Sequence, residues 1–309
     1  MAKGTALVQG SNASSKAREV VIGIATTGRA GILQQTLDHL ASLADGPDGI
    51  LVCIADESDF NACDLSAFPC PLRVLTAPKG LCNQRNTILD AVSDTTVVLF
   101  LDDDFLVSEG YISTLRRTFA ADSEIAMTTG TVLADGILGA GFDHDAGRRF
   151  LAAPLAGDTT APPTVIYNGY GCNMAVRAAV AREHGVRFDT NLPRYGWLED
   201  VDFSRRLAAH GRIVKHPNMT GVHLGTKTGR SRGVPLGYSQ IANPIYMVRK
   251  GTLSRRRAAR LMLRNLAANT AKLLRPEPWV DRRGRLRGNV MALRDLIIGR
   301  ICPKRILDL

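Results

Sequence analysis

The sequence predicts an α/β protein with a mostly parallel central sheet, helices on both faces and a basic helical C-terminal extension. Three observations carry that prediction. Short apolar, β-branched runs alternate with stretches of helical period through the first half of the chain, the pattern of a sheet buried on both sides. The runs at 20–25, 49–55 and 97–101 each end in a polar or acidic turn, which is where open parallel sheets receive ligands. Charge is also unevenly placed: from Arg249 onward 17 Lys and Arg residues face four acids, whereas 22 basic and 25 acidic residues precede them.

A chain of 309 residues with 45% hydrophobic and 22% charged residues suits one large core-forming domain with an appendage. No stretch approaches the roughly 18 to 20 apolar residues of a membrane-spanning helix. Residues 1–18 are polar and rich in small side chains, without the apolar core of a signal peptide, and read as a disordered leader. The six cysteines (Cys53, Cys63, Cys70, Cys82, Cys172 and Cys302) show no Cys-x-x-Cys spacing. They are expected to be reduced, mostly buried thiols, which makes the cytoplasm the expected compartment.

The first strand, 20–25, runs into the small-residue turn Thr26-Thr27-Gly28-Arg29 and an amphipathic helix over 32–43. A second buried strand over 49–55 is closed by Asp56-Glu57-Ser58-Asp59, and 72–75 is a third. A helix over 82–92 carries Asn83, Arg85 and Asn86, and the strand 97–101 leads to Asp102, Asp103 and Asp104. Ser108 is the expected cap of a helix reaching Phe119, followed by a strand over 125–132. Residues 134–165 read either as a long loop or as a β-rich insertion. A strand over 164–167 precedes Gly169-Tyr170-Gly171-Cys172-Asn173, whose two glycines suggest backbone passing close to a ligand. Glu199, Asp200 and Asp202 follow Gly196-Trp197-Leu198 at the start of a helix continuing through 204–210. The helix dipole there favours carboxylates of any purpose, while Trp197 offers a ring for stacking on a sugar.

Three consecutive carboxylates at a strand end repel one another unless their pKa values shift or a cation joins them. A solvated acidic turn is one reading. A hard divalent ion with oxygen ligands, bringing a diphosphate with it, is the other.

Taken together, the turn at Asp56, Gly80 with Arg85-Asn86, Asp102-Asp103-Asp104, and Glu199-Asp200-Val201-Asp202 with Arg205-Arg206 resemble a family-2 glycosyltransferase of the GT-A fold. The resemblance spans about residues 20–225. It implies a nucleotide-diphosphate sugar donor and a divalent metal, Mn²⁺ or Mg²⁺. Residues 19–133 would form the nucleotide-sugar-binding half, 134–235 the acceptor-binding and catalytic half, and 236–309 the basic tail. Asp56 would hold the base, with Arg29, Arg85 and Asn86 around base and ribose, and Thr26 and Asp103 among the donor contacts. Asp102 would lie near ribose and metal, Asp104 would bind the metal, and His223 would be a further ligand. Asp200 would act as general base with Glu199 supporting it, while Trp197 and Asn173 would meet the acceptor. The departure is Asp56-Glu57-Ser58-Asp59, where many relatives have a Gly-Ser turn, so the choice of base stays open. Lys227, Arg230 and Arg232 form a basic loop that either closes on the diphosphate or is simply solvated.

In the tail, 253–274 mixes Leu261, Met262, Leu266 and Leu273 with six Arg and Lys residues. After a basic turn at 282–287, helical spacing resumes over 289–307. Basic amphipathic helices suit an anionic membrane surface, and a lipid-linked acceptor in cell-envelope or exopolysaccharide synthesis would follow. Packing against the catalytic body is the alternative. Nucleic acid is disfavoured because aromatic residues are nearly absent there, Trp279 alone. Two other function classes compete with the transferase: a nucleotidyltransferase, although 26–31 lacks its basic glycine-rich loop, and an inactive sugar-nucleotide- or glycan-binding module.

Overall fold

The computed structural model describes residues 19–61, 68–153, 161–228 and 233–309. The expected leader, Cys63, Arg230 and Arg232 lie outside these residues. The apolar runs form strands β1 (Val20–Ala25), β2 (Gly49–Ile54), β3 (Leu72–Thr76) and β4 (Val97–Asp102), parallel neighbours in the order β3-β2-β1-β4. Every residue of β2, and the first five of β1 and β4, are buried, because helices cover both faces. On one face pack Leu33, Leu37 and Leu40 of α1 (Ala30–Ala41) with Tyr111, Leu115 and Phe119 of α3 (Tyr111–Ala121). On the other lie Ile88 and Leu89 of α2 (Leu81–Asp90) with Phe203 and Leu207 of α6 (Glu199–Leu207). Ala25 pairs with both Cys53 and Asp102, so the turns after β1, β2 and β4 open along one edge.

Beyond β4 the sheet changes direction. Strand β8 (Asn173–Arg177) is antiparallel to β4 and to β6 (Ile125–Asp135), and β9 (Arg212–His223) runs parallel to β6. Short β5 (Phe105–Val107), directly after the aspartates, pairs antiparallel with β9, as does β7 (Thr164–Val165). The register sets Phe105 opposite His223, delivering a distant histidine to the end of β4.

Several expectations are corrected. Ser108 does not cap α3; Gly110, at φ 73°, occupies that position, and the Ser108 hydroxyl bonds Thr220 instead. The stretch 134–165 contains a helix, α4 (His144–Ala152), with Asp143 capping it. The helix expected through 204–210 ends at Leu207. Strands β5 and β9 have no counterpart in the sequence reading.

The tail folds as a helical bundle. The tail is expected to be helical from 236 onward, but no separate helix is placed before 253, where Gly237 and an internal Pro244 argue against one; the structure forms α7 (Gly233–Lys250) there. Tertiary packing overrides those breakers. A Cβ on Gly237 would meet the Arg285 carbonyl oxygen at 2.0 Å, and one on Gly288 the Val234 carbonyl oxygen at 2.1 Å. These glycines therefore let α7 and α9 (Arg282–Ile297) cross backbone to backbone. The expected basic turn at 282–287 is the start of α9. With α8 (Arg255–Ala271) and the 3-10 turn Pro303–Asp308, these helices enclose a small core of Tyr238, Ile241, Ala292, Ile301 and Ile306. Beside it, Asn269 donates to Gln240 and Asn289, and Asn289 donates to the Gly237 carbonyl. No helix among the described residues is long and apolar enough to cross a membrane.

Candidate active site

The end of β4, the Gly171 peptide and the start of α6 converge on Arg85. This side chain is 2% exposed, so its charge demands buried partners. One guanidinium nitrogen lies 2.6 Å from Glu199 Oε1. The other donates to Asp102 Oδ1 at 3.2 Å and to the Gly171 carbonyl at 2.7 Å. The Gly171 N–H in turn donates to Asp200 Oδ2 at 3.1 Å. One cation and one glycine thus join the acids after β4 to those at the start of α6. A Cβ on Gly171 would stand 3.2 Å from Glu199 Oε1 and 3.4 Å from the Asp200 Cβ, which is why this connection lacks a side chain.

Asp102, Asp104 and His223 each turn one ligand atom toward a common point, with those atoms within 4.8 Å of one another. His223 Nε2 is 3.5 Å from Asp104 Oδ1 and 3.8 Å from Asp102 Oδ2. Its Nδ1 is held by Asp135 Oδ1 at 2.9 Å, and the other Asp135 oxygen accepts from the Tyr170 hydroxyl at 2.8 Å. A carboxylate behind a ligating imidazole fixes the ring's tautomer and direction. Two carboxylates and one oriented imidazole make a donor set that fits Mn²⁺ or Mg²⁺. Burial disfavours charge on His223, yet Asp104 and Asp135 outweigh it and raise its pKa to about 10. Burial likewise opposes ionisation of Asp104, but His223, Arg29 and the Thr226 N–H hold its carboxyl well below the usual range.

The acids flanking these serve otherwise. Asp103 is fully buried; Thr26 Oγ1 donates to it at 2.6 Å and Arg29 pairs with it at 2.9 Å. Burial, against the pull of Arg29, raises it to about 7. Asp202, also fully buried, accepts from Lys250 Nζ at 2.6 Å and Thr252 Oγ1 at 2.6 Å. It ties α6 to the end of α7, helped by Lys250 reaching Asp189 at 2.5 Å. In the same helix turn, burial pushes Glu199 up to about 8, with Arg85 pulling the other way, and its Oε2 has no hydrogen-bond partner among the described residues. Burial also raises Asp200, with backbone N–H groups of Val201 and Gly171 opposing.

The expected site residues therefore divide. Arg29, Arg85, Asp102, Asp104, Glu199, Asp200 and His223 form one connected set. Asp56 is exposed at the end of β2, where its carboxylate accepts from the Ser58 hydroxyl and N–H. Trp197, half-buried, precedes α6, and its carbonyl accepts from Asn243 of α7 at 2.8 Å. Thr26 and Asp103 bond each other inside the fold. Asn86 is turned to the scaffold, bonding both the N–H and the carbonyl of Phe188 at 2.9 Å. Asn173 is buried and accepts from Thr129. Lys227 donates to the carbonyls of Gly136 and Ile137.

Three residues of consequence escaped the sequence reading. Asp135 and Tyr170 fix His223, and buried Asp59 organises the turn after β2 by accepting from the N–H groups of Gly28, Ala55 and Asp56. Asp59, in the acidic turn after the second strand, and Tyr170, between the two glycines, lay in stretches with a sequence signal; Asp135 did not.

No family model matches the chain, and no curated protein matches it. Solved structures do. The chain is similar to S. aureus TarS 1-349, solved with UDP-GlcNAc, at a TM-score of 0.54 and 12% identity over 93% of this chain and 82% of that one. It is similar to the mannosyltransferase PcManGT from Pyrobaculum calidifontis, solved with GDP-Man and Mn²⁺, at 0.53 and 14% over 91% and 88%. GalNAc-T7, solved with UDP, GalNAc and Mn²⁺, matches at 0.51 and 14%, over 92% of this chain and 57% of that one. At such identities the likeness is one of architecture, and the architecture is that of the GT-A fold.

Proposed function

We propose that this protein is an inverting, metal-dependent glycosyltransferase that moves a sugar from a nucleotide-diphosphate sugar to a hydroxyl of a lipid-linked acceptor. The observation that carries the reading is the Arg85 bridge, which links a metal-competent Asp-Asp-His group through the Gly171 peptide to the carboxylate of Asp200. The ligands of the similar structures, UDP-GlcNAc and GDP-Man with Mn²⁺, support the donor class.

A divalent ion held by Asp102, Asp104 and His223 would offset the charge gathering on the departing diphosphate. Asp135 keeps His223 Nε2 facing that position. Arg29, paired with Asp103 and 3.6 Å from Asp104, adds positive charge beside it. Asp56 at the β2 end meets the base. Asp200 takes the proton of the acceptor hydroxyl as that oxygen bonds the anomeric carbon. The bond from that carbon to the phosphate oxygen breaks, and its electron pair leaves with the nucleoside diphosphate. A raised carboxyl pKa makes Asp200 a better proton acceptor than an ordinary aspartate. Glu199 fixes Arg85 and lines the acceptor side with Trp197. A single displacement of this kind inverts the anomeric centre. The acceptor belongs to cell-envelope or exopolysaccharide synthesis at the inner face of the membrane, a placement supported by the basic C-terminal helices.

Incubation with UDP-, GDP- and dTDP-sugars and Mn²⁺ tests the reaction. Metal-dependent release of nucleoside diphosphate is expected. Pyrophosphate release would instead mark a nucleotidyltransferase, and no turnover a binding module. An anomeric proton showing retained configuration in the product would refute the displacement.

A further inference from the structure

We infer that the outer faces of α8 and α9 form a docking face for an anionic membrane leaflet, with the groove between α9 and Leu273-Leu274 receiving lipid acyl chain. The inference rests on the membrane-side part of the reading above, and a binding measurement separates its fate from that of the transfer reaction.

Helix α9 buries Asn289 and Ala292 against α7. Its opposite side exposes Arg283, Arg287, Val290, Arg294 and Ile297, whose spacing of four and three residues keeps them on one stripe. Val290 is 57% and Ile297 84% exposed. Helix α8 repeats the arrangement with Arg256, Arg260, Leu263 and Arg264, and Leu274 just beyond its end is 92% exposed. Between α9 and the segment that follows α8 lies a groove of about 590 Å³ walled by Leu274, Leu286, Val290 and Met291, with Arg283 and Arg287 among its lining.

Charge complementarity selects the partner. The acids of this region are engaged elsewhere: Glu277 with Lys272 and Arg282, Asp281 at the α9 cap, Asp295 with the Tyr238 hydroxyl, and Asp308 with Arg305. Among the described residues no ion pair reaches Arg260, Arg264, Arg283, Arg287 or Arg294. A face that is cationic and aliphatic in alternation matches lipid phosphates overlying acyl chain, with arginine stems snorkelling upward. Trp279, between the two helices and 39% exposed, suits the same boundary. A nucleic acid would satisfy the arginines but leave Leu274, Val290 and Ile297 facing water or phosphate, without the aromatic platforms that bases stack on.

The full chain is floated at low salt with vesicles of phosphatidylcholine, with and without phosphatidylglycerol. Binding is expected only to the anionic vesicles. At about fivefold for each arginine near the surface, R283Q/R287Q should weaken partitioning roughly 30-fold. V290S/I297S should weaken it by roughly tenfold or more. All four side chains are solvent-facing, so the melting temperature and metal-dependent release of nucleoside diphosphate from free donor should stay at parent values. Equal binding to neutral vesicles, parent-like binding by either double variant, or tighter binding to duplex DNA that strips the protein from vesicles would each overturn the assignment.

Discussion

Two triplets of acids stand on either side of Arg85, one closing β4 and one opening α6, and they share a division of labour. In the first, Asp102 and Asp104 join His223, while Asp103 turns inward to Thr26 and Arg29. In the second, Glu199 and Asp200 meet Arg85 and Gly171, while Asp202 turns inward to Lys250 and Thr252. Asp103 and Asp202 both hold the scaffold, and burial alone does not mark them, since Asp104 is 1% and Glu199 5% exposed. The triplets differ in what balances them. The first is balanced by His223 and Arg29. In the second, Lys250 pairs with Asp202, while burial raises Glu199 and Asp200 against the pull of Arg85. On the proposed reading, the first triplet gathers positive charge, and the ionised carboxylate of Asp200 in the second accepts a proton.

That contrast can be broken in order of severity. Asp104→Ala should cut metal-dependent nucleoside diphosphate release more than roughly a thousandfold, as several kcal/mol of charge stabilisation is lost. Mn²⁺ titration followed by electron paramagnetic resonance should show the site gone. Asp200→Asn should lower transfer by about 10² to 10⁴-fold while donor binding by calorimetry stays near the parent value. If Asp200→Asn instead abolished donor binding, the assigned division between the triplets would fail. Asp202→Ala leaves Lys250 with Asp189 alone and should cost about 3 kcal/mol of stability, read by denaturant unfolding. Asp135→Asn, behind His223, should weaken Mn²⁺ binding by about 10 to 100-fold without a comparable loss of stability.

The smallest effect sharpens the comparison through pH. Burial raises Glu199 to about 8, above its unfolded value, so the folded state favours the protonated form. The stability from that protonation is fully present below the unfolded pKa and is lost as pH rises through about 8. Glu199→Gln, neutral throughout, should escape the loss. The melting temperature of the parent should therefore fall relative to the variant between pH 5 and pH 9, and parallel curves would show that Glu199 is already ionised at the lower pH.

Much of the first triplet was legible before any coordinates. Three aspartates after an apolar strand are conspicuous because the strand's period and the sheet's ligand-bearing edge predict their place. Asp135 gave no such sign: it lies at the end of β6, and only the pairing of Asp135 with His223 in the β6–β9 register makes it a neighbour. Asn86 illustrates the converse, its side chain bonding the N–H and carbonyl of Phe188. A polar side chain near a binding motif reads the same whether it faces the cleft or satisfies a buried backbone group. Helix α7 was not placed as a separate helix because its glycines and Pro244 count against a helix locally, while close crossing with α9 requires small residues.

The sequence by itself determined the parallel half of the sheet, the edge at which chemistry gathers, and the basic character of the C-terminal helices. Each follows from local periodicity or composition, which act between near neighbours in the chain. Only the tertiary structure decided which acids of each triplet meet His223 or Arg85, which base holds His223, and which arginines remain outside the bundle. Those outcomes depend on desolvation and on partners supplied by distant segments, and no local pattern encodes either.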